Sequence, residues 1–173
     1  MIFYLIRHAS AERVGGAVST DADRPLSAQG EREARLAGRL MRRLDPSLGA
    51  VLTSPLRRAV QTARMVAEAM PRPVPVRESG NLSPGFKPAL LLQEVQALGP
   101  GFSAALVGHQ PDLGLLLTLL AGEGDAVHAA FPPGTVAALA LEGEGTGLRG
   151  ELRWLLTPPA AGALLSSEEG EGS

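Results

Sequence analysis

The 173-residue chain has no cysteine, a single lysine (Lys87) and three histidines. Without cysteine there is no disulfide framework and no thiol nucleophile. No spaced His/Asp/Glu set stands out as a ligand group, so no metal and no cofactor is expected. A large charge of either sign is also missing. The net charge is −2, which provides no global field to draw nucleic acid or an anionic membrane. No apolar run is long enough to span a bilayer. The chain opens directly on a strand-like run without a charged leader and cleavage site, so a cytoplasmic protein is expected.

Among the features that are present, three apolar runs each end in charged or imidazole side chains. The first is Ile2, Phe3, Leu5 and Ile6, followed by Arg7-His8-Ala9. Burying such a cationic pair without a partner is costly, so it must leave the core at the end of the strand. On an open α/β sheet that exit is where ligands bind. Arginine there suits an anion, phosphate above all, and a neighbouring histidine is a candidate nucleophile toward phosphorus.

The second junction is Ala50-Val51-Leu52-Thr53 followed by Ser54-Pro55-Leu56-Arg57-Arg58. Ser54 reads as an N-cap and Pro55 as the first helical residue. Ala59, Ala63, Val66 and Met70 then make one apolar stripe. Arg57 and Arg58 fall in the first turn, where the helix dipole disfavours cations unless an anion shares the field. Two solvated arginines are the plainer alternative. The third junction is Ala104-Ala105-Leu106-Val107-Gly108-His109-Gln110-Pro111. Here a glycine permits close backbone approach and a helix follows. That helix is apolar almost all round from Leu113 to Leu120, so it is expected to be buried on most sides.

The rest reads as scaffold. Strands are expected at 2–7, 50–53, 74–77, 103–108, 135–142 and 149–157, with helices near 27–44, 56–70, 88–98 and 111–121. Their alternation predicts an α/β three-layer sandwich, a mostly parallel sheet with helices on both faces. The Gly-rich turn at 142–147 makes the last two strands a hairpin, and Trp154, alternating with Leu152, is expected on a sheet face. Arg32, Arg35, Arg39, Arg42 and Arg43 alternate with apolar residues as the basic face of an amphipathic helix, solvated or able to dock an acidic partner. His128 reads as a surface residue, and Thr135 as a residue able to reach the site. Length implies one domain, 1–158. The acidic, polar tail 159–173 is expected to be partly disordered.

The three junctions together resemble the histidine phosphatase superfamily, the phosphoglycerate mutase-like fold. Arg7-His8-Ala9 is similar to its Arg-His-Gly triplet. Residues 54–63 match its Ser-x-x-x-Arg-Ala-x-x-Thr-Ala motif, Gly108-His109 its later Gly-His, and Arg24-Pro25-Leu26-Ser27-Ala28-Gln29-Gly30 the segment opening its first helix. The resemblance implies His8 as phosphoryl acceptor, with Arg7, Arg58 and His109 binding phosphate; Arg58 is favoured over Arg57 because it directly precedes Ala59. It implies a two-step, metal-independent hydrolysis through phosphohistidine on His8.

Two departures bear on substrate. Ala9 replaces the usual glycine. Where ester-cleaving members carry a Leu-x-Glu acid, this chain has Leu82-Ser83-Pro84. Glu78 is nearby as a possible acid, and Glu12, Asp21 or Asp23 are other sources. The missing glutamate, the short 74–100 segment and the chain length resemble small phosphohistidine phosphatases of the SixA type. A phosphorylated signalling or phosphocarrier protein is therefore the expected substrate. A small-molecule phosphomonoesterase of the same fold is the alternative, and a catalytically idle phosphate-binding module is a third reading that the intact Arg7, His8, Arg58 and His109 disfavour. The sequence leaves the oligomeric state open.

Overall fold

The computed structural model describes residues 1–99, 101–122, 129–143 and 148–167. In chain order the elements are β1 (Ile2–Arg7), α1 (Ala28–Leu44), β2 (Ala50–Thr53), α2 (Arg57–Glu68), β3 (Val76–Glu78), a 3₁₀ turn (Gly80–Leu82), α3 (Pro88–Gln96), β4 (Ser103–Gly108), α4 (Asp112–Ala121), β5 (Val136–Glu142), β6 (Arg149–Leu156) and α5 (Pro158–Ser166). The six strands form one sheet in the order β3-β2-β4-β1-β5-β6. Strands β3, β2, β4 and β1 are parallel; on the far side β5 runs antiparallel to β1, and β6 antiparallel to β5.

Strand alternation divides the core into two layers. Phe3, Leu5, Leu52 and Leu106 pack on one face with Leu91 of α3 and Leu113, Leu116 and Leu117 of α4. Tyr4, Ile6, Val51 and Val107 pack on the other with Leu40 and Met41 of α1, Ala63 and Val66 of α2 and Ala161 of α5. The architecture is the expected three-layer α/β sandwich. The carboxyl ends of β1, β2 and β4 lie side by side, with Arg7 opposite Gly108 and Thr53 opposite Val107. Helices leave this edge to both faces, which opens the crevice expected of such sheets.

Four expectations need correction. Helix α2 starts at Arg57 with Leu56 as N-cap, two residues beyond Pro55; the Ser54 hydroxyl still accepts from the Leu56 N–H at 3.3 Å. Helix α4 is not buried on most sides: Leu115 and Leu119 are about 60% and 59% exposed, because only its 113/116/117/120 face meets the sheet. The alternation of Leu152 with Trp154 fails at a β-bulge, where Leu139 pairs with Leu152 but Ala138 with Trp154, leaving Arg153 as the extra residue. Leu152 therefore joins the α3–α4 layer while Trp154 stacks near Tyr4 in the other, ring centroids 5.9 Å apart.

The fourth correction is at the C-terminus. The segment expected as tail from 159 carries α5 to Ser166, with Ala161 buried against the α1–α2 layer. Pro158 and Pro159 suit its first turn. Residues 168–173, His128 and the centre of the 142–147 turn lie outside the described residues. No described helix is long and apolar enough to cross a membrane.

Candidate active site

Every element of the site hangs from a sheet end. Beyond β1, the Arg7 N–H donates to the Thr135 carbonyl at 3.0 Å and the His8 N–H to the Gly108 carbonyl at 3.0 Å. The backbone of the Arg7-His8 pair is thus held between the start of β5 and the end of β4. The Ala9 N–H donates to Thr62 Oγ1 of α2 at 3.1 Å, and that hydroxyl donates on to the Arg58 carbonyl at 2.8 Å. Thr62 fixes the turn after the histidine to the helix that carries Arg58.

His8 sits with defined ring chemistry. Nδ1 lies 2.8 Å from the Ala9 carbonyl oxygen, which only accepts, so Nδ1 carries the proton. Nε2 receives the Arg58 Nε–H at 3.2 Å and is therefore the bare nitrogen, directed into the cationic cradle. Burial pushes the His8 pKa down to about 4, opposed by the Ala9 hydrogen bond and reinforced by the Arg58, Arg7 and Arg24 charges. The ring is neutral at pH 7.

His109 stands beside it, ring centroids 4.9 Å apart. It is buried, and its Nε2 is hydrogen-bonded to Ser54 Oγ at 2.8 Å. Burial, then the His8 and Arg58 charges, lower its pKa to about 3. The two depressed values set a pH dependence with a definite sign. In the unfolded chain both imidazoles take up protons as pH falls through about 6.5, whereas the folded rings do not. Their contribution to stability is complete above pH 6.5 and is lost progressively toward pH 4 and below. NMR titration of the two rings in the free protein is expected to show no midpoint above about pH 5; a midpoint near 6.5 for both would contradict this electrostatic picture.

The two arginines are tethered differently, Arg7 through a backbone carbonyl and Arg58 through both backbone and side chains. Arg7 Nη1 donates to the Phe131 carbonyl at 2.6 Å, while Arg7 Nε and Thr135 Oγ1 are buried without a hydrogen-bond partner among the described residues. Arg58 is 4% exposed and donates from Nη1 to the Asp21 carbonyl at 2.7 Å and from Nη2 to Asp21 Oδ2 at 3.1 Å. Arg57, its neighbour, is exposed and reaches out toward the Asp23 carbonyl at 3.5 Å.

The structure thus brings together Arg7, His8, Arg58 and His109. Glu78 ends the edge strand β3, exposed to solvent and separated from β1 by two intervening strands. Two contributors were not identified in the sequence. Ser54 holds His109 as well as the start of α2, a role invisible in a cap motif. Glu33, buried in α1, accepts from Ser10 N at 2.8 Å, Ser10 Oγ at 3.0 Å and Gln29 Nε2 at 3.0 Å. Its signal was a carboxylate beside Ala34 and Ala37 on the apolar stripe of an amphipathic helix.

Comparison with known proteins agrees with this geometry. Residues 3–83 match the histidine phosphatase superfamily (branch 1). An uncharacterized protein of Mycobacterium tuberculosis is 34% identical over 147 residues, covering 80% of this chain and 88% of that protein. Among solved structures, the protein histidine phosphatase SixA complexed with tungstate superposes with TM-score 0.79 at 26% identity, covering 92% of this chain and 98% of that one. A mycobacterial glucosyl-3-phosphoglycerate phosphatase complexed with VO3 shares the fold alone, with TM-score 0.70 and 17% identity over 88% of this chain and 97% of that one. The motif order, the sheet topology and these matches converge: the chain belongs to the histidine phosphatase superfamily, branch 1, and is a phosphatase by kind.

Proposed function

We propose that the protein is a phosphohistidine phosphatase in which His8 takes up the phosphoryl group and passes it to water. The observation that carries the reading is the His8 ring itself: neutral, its Nδ1 proton fixed on the Ala9 carbonyl and its bare Nε2 set at 3.2 Å from Arg58 Nε. In the first step the Nε2 lone pair forms the N–P bond as the substrate N–P bond breaks. Arg7, Arg58 and His109 stabilise charge on the equatorial oxygens. A substrate ring protonated on its other nitrogen leaves as neutral imidazole, without help from an acid. In the second step water attacks phosphorus, His8 departs as the same neutral tautomer, and the water proton goes to the phosphate product.

The Ala9 carbonyl serves both steps. By holding the Nδ1 proton it makes phospho-His8 a cationic ring, whose departure regenerates a neutral one. The carboxylates support the choice of substrate. Glu78 faces solvent. Asp21 touches Arg58, and its pKa is lowered, first by its hydrogen bond with Arg24, so it stays ionised and is a poor proton donor to an alkoxide. Similarity to a protein histidine phosphatase that binds tungstate, an oxyanion shaped like phosphate, supports the same reading.

The test compares phosphate release from a phosphohistidine peptide, an aryl phosphate and an alkyl phosphate, with chelator present and His8→Ala as control. Phosphohistidine and aryl turnover are expected to exceed alkyl ester turnover by on the order of 10²-fold or more, the usual worth of a general acid that is not supplied here. Alkyl ester turnover equal to that of phosphohistidine would transfer the assignment to a small-molecule phosphomonoesterase.

A further inference from the structure

Arg58 is gripped from a loop that lies 37 residues earlier in the chain. Its three nitrogens have three separate acceptors: Nε on His8 Nε2 at 3.2 Å, Nη1 on the Asp21 carbonyl at 2.7 Å and Nη2 on Asp21 Oδ2 at 3.1 Å. A guanidinium is a rigid planar fork. Two contacts from one residue, one from backbone and one from side chain, fix its plane as well as its position. We infer that Asp21 is a positioning residue for the phosphoryl-transfer site, holding the Arg58 fork in the plane that presents Nε to His8 and leaves its remaining N–H bonds for the phosphate oxygens. The inference rests on the roles given above to His8 and Arg58.

The loop is built to make that grip firm. Asp21 Oδ1 accepts from Arg24 Nη1 at 2.9 Å, and Arg24 Nε donates to the Glu12 carbonyl. The Arg57 N–H donates to the Ala22 carbonyl at 3.1 Å, tying the loop to the first turn of α2 one residue away from Arg58. Thr20 Oγ1 donates to Asp23 Oδ2 at 2.6 Å and closes the turn on itself. Arg58 is buried with 5% of its side chain exposed, whereas the Asp21 side chain is 59% exposed. The grip therefore reaches a buried cation from the rim.

Such a residue acts through another, and the test must show that. Asp21→Ala is expected to lower kcat for phenyl phosphate about tenfold, since small misplacement of a clamp is costly. KM should change less, and Asp21→Asn, which keeps the backbone carbonyl and one side-chain acceptor oxygen for Arg58, should recover most of kcat. In an Arg58→Lys background, whose point charge has no fork to orient, Asp21→Ala is expected to change turnover less than about twofold. Wild-type turnover in Asp21→Ala, or an equal loss in both backgrounds, would overturn the positioning role. If Asp21→Ala does not fold, Asp21→Asn in the two backgrounds decides the same question, with a smaller but coupled loss expected in the Arg58 background alone. Full activity in His8→Ala would instead overturn the site assignment, a separate result.

Discussion

His8→Ala is expected to reduce phosphate release from every substrate by on the order of 10⁴-fold or more, the loss seen when a group that forms the covalent intermediate is removed. The reduction should fall on kcat, because Arg7, Arg58 and His109 remain to bind the phosphate. Reactions with radiolabelled substrate, quenched in alkali where the P–N bond survives, should trap a phosphoprotein with the wild-type chain and none with the variant. The fold should survive: Arg58 loses one acceptor but keeps both contacts to Asp21. Turnover within about tenfold of wild type, in a folded variant, would mean that water attacks the substrate directly.

Gly30→Ala should be the most damaging glycine-to-alanine change among the described residues. A Cβ at Gly30 would lie 1.8 Å from the Ser10 carbonyl oxygen and 2.8 Å from its carbon. That carbonyl cannot easily give way, because it accepts from the Ser27 N–H at 3.0 Å and from Ser27 Oγ at 3.3 Å, while Ser10 N is held by Glu33. Alanine is worth about 1 kcal/mol over glycine in a helix, far less than a backbone overlap of this depth. A loss of about 4 kcal/mol or more is expected, read as a drop in the urea midpoint. Activity should fall with it, since Ser10 follows the His8-Ala9 turn. A midpoint equal to or above wild type would show that the first turn of α1 can shift away from the loop.

How much of this was legible in the sequence depends on the range of each contact. Arg7, His8, Arg58 and His109 announce themselves because each follows an apolar run that must be a strand, and a parallel sheet brings strand ends together whatever the intervening loops do. Strand and helix spans were readable for the same local reason. The contacts of Asp21 and Glu33 were not, because residues 10–27 carry no periodicity and their partners lie far off in the chain. The bulge at Ala138/Leu139 was hidden as well. Period-two reasoning assumes an unbroken ladder, and one extra residue reverses the face of everything beyond it. Helix α5 was missed because a polar, acidic end outweighed the short apolar stretch Ala160-Ala161-Gly162-Ala163-Leu164.

The carbonyl tether on Arg7 has a further consequence. A carboxylate partner would cancel a guanidinium's charge, whereas a peptide dipole constrains its geometry and leaves most of the field intact. Arg7 is held in this way by the Phe131 carbonyl, whereas Arg58 also has a carboxylate partner in Asp21, shared with Arg24, so two guanidinium groups divide one negative charge. The resting site is thus electrostatically frustrated, a fixed excess of positive potential around a neutral imidazole. Any tetrahedral dianion relieves that frustration, the released product as well as the substrate. On the assignment proposed above, the rigidity that readies the site for catalysis also couples the folding equilibrium to inorganic phosphate, so that the protein's stability is expected to rise with the concentration of its own product.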